Sequence, residues 1–81
     1  MLNIKVLGPG CANCKRLEQM TRREVEKLGL AANIEKVTDY GQIMAYDILS
    51  TPGLVINEQL VLNGRIPTPQ EVNAWLMAAA G

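Results

Sequence analysis

The chain has 81 residues, 48% of them hydrophobic, with eight basic and eight acidic side chains and no histidine. A chain this short buries only a little over roughly 60% of its extended surface, so residues 1–81 are expected to form one domain around one core. Zero net charge lacks the electrostatic footprint that phosphate backbones demand, which argues against a nucleic-acid partner, and no single-sign or Pro/Ser-rich tract suggests a disordered tail.

Leu2, Ile4 and Val6 alternate with Asn3 and Lys5, a period of two that predicts a strand over residues 2–7, ended by Gly8-Pro9-Gly10. From Cys14 onward Leu17, Met20, Thr21, Val25 and Leu28 fall at helical spacing, with Lys15, Glu18, Arg22, Glu26 and Lys27 outward and Gly29 placed to cap the C-terminus. Glu18-Arg22 and Arg22-Glu26 are spaced for i,i+4 ion pairs. Ile34 to Val37 makes a second strand, completing a right-handed strand-helix-strand unit. Asp39 can cap a short helix with Gln42 at capping-box spacing; its inward side chains are expected to be Ile43, Met44 and Ile48, and its end near Leu49, ahead of Pro52. Leu54-Val55-Ile56 and Leu60-Val61-Leu62, separated by Asn57-Glu58-Gln59, indicate an antiparallel hairpin, after which Asn63-Gly64 turns the chain. Thr68-Pro69-Gln70-Glu71 is a helix start with a hydroxyl cap, a proline at the first position and a glutamate at the third. Val72, Trp75, Leu76 and Ala79 then repeat on one face, which assigns Trp75 to the core. The predicted fold class is α/β, β-α-β-α-β-β-α, a four-stranded mixed sheet with helices on both faces.

The N-terminus lacks the basic region, apolar stretch and cleavage site of a secretory signal, and Ala74 to Ala80 is about a third of a bilayer span. No membrane association and a cytoplasmic location are therefore expected. In a reducing cytosol a lone cysteine pair is rarely a structural staple, and the short Cys11 to Cys14 loop would constrain little chain entropy. Cys11 and Cys14 instead lie where a strand turns into a helix. At that end unpartnered backbone N–H groups favour a thiolate over a thiol, and the spacing puts both sulfurs on one face within bonding reach. Tetrahedral zinc would need two more ligands than a chain without histidine or a third cysteine supplies, so no metal site is expected within it. A soft ion such as Cu(I) held by the two thiolates is one alternative, since Gly10 to Cys14 looks locally like heavy-metal-associated domains; a redox-inert interaction module is another. The copper-carrying fold ends in a strand, against which the capped helix from Thr68 argues.

A Cys-x-x-Cys after the first strand, with Ser50-Thr51-Pro52-Gly53 just before the hairpin, resembles the thioredoxin and glutaredoxin superfamily over nearly the whole chain. It is closest to the small prokaryotic thioredoxin-like redox-active disulfide proteins. The resemblance implies a thiol-disulfide oxidoreductase in which Cys11 is the exposed nucleophile and Cys14 the buried resolving thiol. Pro52 would be a cis-proline facing them, and Thr51 would offer its backbone to a substrate peptide. Gly10 would let the backbone approach a partner closely. No cofactor beyond the Cys11-Cys14 disulfide is implied. The implied partners are a protein disulfide substrate and a thiol reductase, favoured over glutathione, and neither monomer nor dimer is indicated. Six residues before Cys11, where many thioredoxins carry a buried acid, this chain has Lys5, which is expected near the sulfurs, favouring the thiolate. Lys15 and Arg16 form a solvated first turn whose charge would tune Cys11 or steer an acidic partner.

Overall fold

The alternation of Leu2, Ile4 and Val6 against Lys5 and Leu7 is resolved by a sheet with a core on each side. The computed structural model describes residues 1–48 and 50–81. Its elements run β1 (Leu2–Leu7), α1 (Ala12–Leu28), β2 (Ala32–Val37), α2 (Tyr40–Met44), β3 (Gly53–Ile56), β4 (Gln59–Asn63) and α3 (Pro69–Ala80). The sheet order is β2-β1-β3-β4. β1 and β2 are parallel, as a crossover through a helix requires, while β3 pairs antiparallel with both β1 and β4. On one face Leu2, Ile4, Val6, Leu54, Ile56 and Leu62 pack with Leu17 of α1 and Val72 and Leu76 of α3, with Trp75 half-buried beside them. On the other, Leu7, Val37 and Val55 pack with Ile43 of α2 and with Ile48. β3 is covered on both sides, which is why Leu54-Val55-Ile56 is continuously apolar.

The hairpin turn is tighter than the apolar spacing suggested. Gln59 joins β4 opposite Ile56, leaving Asn57 and Glu58 as a two-residue turn with φ of 49° and 68°. The Asn57 side-chain oxygen accepts the Asn3 N–H at 2.9 Å, locking the turn to β1. The register shifts between Leu54 and Val55, so that Val61 is an extra residue in β4.

Helix α2 corrects the expectation most. It ends at Met44; Tyr46 and Asp47 then donate to the carbonyls three residues back, and Asp47 enters the left-handed region at φ 57°. The stop predicted near Leu49 falls outside the described residues. Met44, about 100° round the helix from the buried Ile43, is 61% exposed rather than inward, and Ile48 reaches the core from irregular chain. In α1, Gly29 caps the end as expected, and Arg22 pairs with Glu18 at 3.0 Å rather than with Glu26. Glu18 also lies 3.6 Å from Lys36, and these cations hold its carboxyl below the usual range, Arg22 most strongly. Helix α3 starts with a complete capping box between Thr68 and Glu71, and Arg65 grips the Glu71 carboxylate with two bonds.

Candidate active site

Two features of sheet topology create the site. β1 and β2 end side by side, Leu7 opposite Val37, and the chain leaving β1 crosses over through α1. The parallel pair therefore delivers its C-terminal ends and the first turn of α1 to one place, where an α/β sheet typically holds its chemistry. Gly8 continues the ladder by donating to the Val37 carbonyl at 2.9 Å.

Cys11 is the N-cap of α1, with extended backbone; its sulfur accepts the Cys14 N–H at 3.2 Å and its carbonyl accepts the Lys15 N–H at 3.1 Å. The helix thus begins two residues before Cys14, the first apolar position that spacing could detect. Cys11 is exposed, Cys14 only 5% exposed, and the two sulfurs are joined in a disulfide across a Cα separation of 5.0 Å. In the dithiol state the same N–H, with the dipole of a 17-residue helix behind it, favours negative charge on the Cys11 sulfur.

The Thr51-Pro52 peptide bond is cis, and Pro52 is buried. The Pro52 carbonyl accepts the Gly64 N–H at 2.9 Å, which ties this loop to the end of β4. Gly8 lies between the loop and the disulfide. A β-carbon there would overlap Cys14 Sγ, stand 3.1 Å from Cys14 Cβ and touch Thr51 Cβ at 3.8 Å. Glycine at position 8 is what lets the Cys14 sulfur and Thr51 close over the end of β1. Gly10 has a different reason to be glycine: its φ is 98°, while a side chain there would meet open space.

A cavity of about 50 Å³ beside Cys14 is lined by Val6, Gly8, Gly10, Lys15, Lys36 and Thr38. It brings Gly10 and Lys15 together with the buried cysteine, and it corrects the expectation for Lys5. Successive strand residues face opposite ways, so β1 presents Val6 to Cys14. Lys5 points to the α2 face and toward the hairpin turn, where its ammonium donates to the Tyr46 hydroxyl at 2.7 Å and to Glu58 at 3.3 Å. Those two bonds, Tyr46 first, raise its pKa. Lys5 is committed to a structural contact away from the sulfurs.

Sequence reasoning passed over Gly8, Lys36 and Thr38 at the site. In the sequence Gly8 reads only as a strand breaker. Lys36 and Thr38 come from the end of β2, which the parallel register, Val6 opposite Lys36, brings beside α1; the strand-helix-strand pattern implies the parallel pairing but not this register. Glu24 was also missed. It is 4% exposed on α1, held by Asn73 of α3 at 3.3 Å and by Lys27 at 3.4 Å.

Comparison with known proteins agrees with this geometry. The family model described as "Thioredoxin domain" matches residues 2–77. A protein named thioredoxin from Methanothermobacter thermautotrophicus is 36% identical over 76 residues, covering 94% of this chain and 99% of its own. Another of that name, from Methanocaldococcus jannaschii, is 35% identical over 76 residues, covering 94% and 87%. With the Cys-x-x-Cys joined at the head of α1 and the Thr51-Pro52 bond cis, the chain belongs to the thioredoxin family of thiol-disulfide oxidoreductases.

Proposed function

We propose that the dithiol form reduces disulfides in partner proteins, with Cys11 as attacking thiolate and Cys14 as resolving thiol. The Cys11 thiolate attacks one sulfur of the partner disulfide, forming a mixed disulfide and releasing one partner thiolate, which takes a proton from solvent. Cys14 then loses its proton and attacks Cys11 Sγ, expelling the second partner thiolate and leaving the Cys11-Cys14 disulfide. Two electrons pass to the partner, and a thiol reductase returns them. No metal or organic cofactor takes part, and a reducing cytoplasm suits the cycle. Thr51, across Gly8 from the Cys14 sulfur, and the cis-proline that follows it are the surface on which the partner peptide is laid, and Gly10 leaves the approach to Cys11 free of a side chain.

The observation that carries this reading is the inequality of the two thiols. Cys11 is exposed at the helix N-cap, and Cys14 is buried against Gly8. Only Cys11 can be reached by a partner, and only Cys14 is placed to displace it. Against the copper-carrier alternative stands the last element, helix α3 instead of a strand. The test is to trap the intermediate. Cys14→Ser should accumulate a mixed disulfide through Cys11 with a disulfide-bearing protein, while Cys11→Ser should accumulate none. Native mass spectrometry across a thiol redox series should show a reversible loss of two hydrogens. Trapping through Cys14, or no redox couple at all, would reject the assignment.

A further inference from the structure

Beyond the sulfurs, the surface of α1 is unevenly charged in a protein whose net charge is zero. The helix carries five basic residues, Lys15, Arg16, Arg22, Arg23 and Lys27, against three acidic ones, Glu18, Glu24 and Glu26. Two of the acids are already occupied, Glu18 by Arg22 and Lys36 and Glu24 by Lys27 and Asn73. Among the described residues Arg16 and Arg23 enter no ion pair.

These unpaired cations lie along a groove. Ala12-Asn13, Arg16, Met20, Arg23 and Lys27 recur at three- or four-residue spacing, one stripe of the helix that begins between the two cysteines. From Arg16 onward the stripe borders a shallow groove of about 340 Å³, closed on the far side by Ile66 and Pro69 where the chain enters α3; the Glu24 carboxylate also lines it but is taken up by Lys27 and Asn73, which leaves Arg16 and Arg23 as its free charges. Met20 and Ile66 are half-buried against the core and give the groove an apolar floor beneath its cationic rim. The rise of an α-helix sets Arg16 and Arg23 about 10 Å apart along the axis, a span that one three-residue turn of polyproline II chain, about 9 Å, nearly covers while returning its side chains to the same face.

We propose that this groove docks an extended acidic segment of the disulfide-bearing partner protein, next to the disulfide that Cys11 attacks. The proposal rests on the exchange chemistry proposed above and adds a specificity to it. In the polyproline II conformation carboxylates three positions apart share one face and pair with Arg16 and Arg23, an intervening apolar side chain lies on Met20 and Ile66, and the stripe leads the segment back to Asn13 and the sulfurs. The attraction speeds encounter and selects among disulfides of otherwise similar reactivity.

Two synthetic peptides decide the matter. Each has one internal disulfide and a five-residue flank, with two glutamates three positions apart in one and glutamines in their place in the other. At low ionic strength the dithiol protein should reduce the glutamate peptide with a kcat/KM about tenfold higher, and the ratio should fall toward one near molar salt. The double variant Arg16→Gln/Arg23→Gln should bring the ratio close to one at every salt concentration. Cysteine-free versions of both peptides, titrated into the oxidised protein, report docking without chemistry, and the glutamate peptide should bind more tightly. Equal binding of the two, or a preference that survives in the double variant, overturns the groove. If neither peptide is reduced but the acidic one still binds preferentially, the exchange reading fails and the docking site stands.

Discussion

Gly8 is the residue whose side-chain absence the site most depends on, and Gly8→Ala tests that directly. Its backbone is outside the left-handed region that favours glycine, so alanine costs nothing in conformation and the effect is purely one of contact. The new methyl would overlap Cys14 Sγ and press on Cys14 Cβ at 3.1 Å, in a spot closed on the other side by Thr51. Overpacking of this kind costs about 1–3 kcal/mol, which for a domain of this size lowers the melting temperature by roughly 5–20 °C. The cost should fall unequally on the two redox states. In the dithiol Cys14 can rotate its sulfur away, whereas in the disulfide the sulfur is held by Cys11. Each 1.4 kcal/mol of difference is worth about 30 mV, so the potential should become less reducing by about 20–40 mV. Thermal unfolding of both redox forms and equilibration against a glutathione or dithiothreitol series measure the two effects. In a Cys14→Ala background most of the penalty should vanish, with a coupling of about 1–2 kcal/mol, the remainder coming from the β-carbons. A Gly8→Ala protein that melts normally in both states and keeps its potential would refute the claim that Gly8 makes room for the Cys14 sulfur.

Other consequences concern the groups around the site. Arg65, and after it the Thr68 backbone N–H, hold the Glu71 carboxyl down at about 2 from an ordinary 4.5. A depressed folded-state value means that this stabilisation is complete above the unfolded value and is lost as pH falls through about 2. Glu71→Gln should therefore be less stable than the parent at pH 7 and nearly equal to it at pH 2, as read by urea unfolding at both pH values. Removing the amide with Asn73→Ala leaves the buried Glu24 carboxylate one donor short and should cost about 1–2 kcal/mol; Asn73→Asp, which sets a second carboxylate against it, should cost more, and equal stability of all three proteins would contradict the pairing. Lys5→Met should leave the Cys11 titration where it was, followed by thiolate absorbance, while loosening the contact with Tyr46 and Glu58. A clear shift of the thiol pKa would restore Lys5 to the site.

How much of this was legible in the sequence depended on the range of the interaction involved. The strands, the caps at Thr68, Asp39 and Gly29, and the cysteines at a helix head all follow from neighbours within about four positions, where propensity, capping and periodicity act. Lys5 was misplaced because counting back from Cys11 ignored which face of β1 each residue occupies. The alternation that defines the strand sends Lys5 to the α2 face and Val6 to Cys14. Met44 faces solvent because it lies about 100° round the helix from Ile43, so a one-turn helix that buries Ile43 leaves it outside, while Ile48 reaches the core only after the chain leaves the helix through Asp47 at a positive φ.

The order of elements and the residue pair that carries the chemistry can be read along the chain, because both are written in local spacing. That Gly8 adjoins Cys14, that Lys36 and Thr38 share its cavity and that α1 and the start of α3 border a cationic groove emerge on folding. Those proximities arise when parallel strands bring distant segments to one end of the sheet, and no short-range pattern along the chain encodes the distance across that gap.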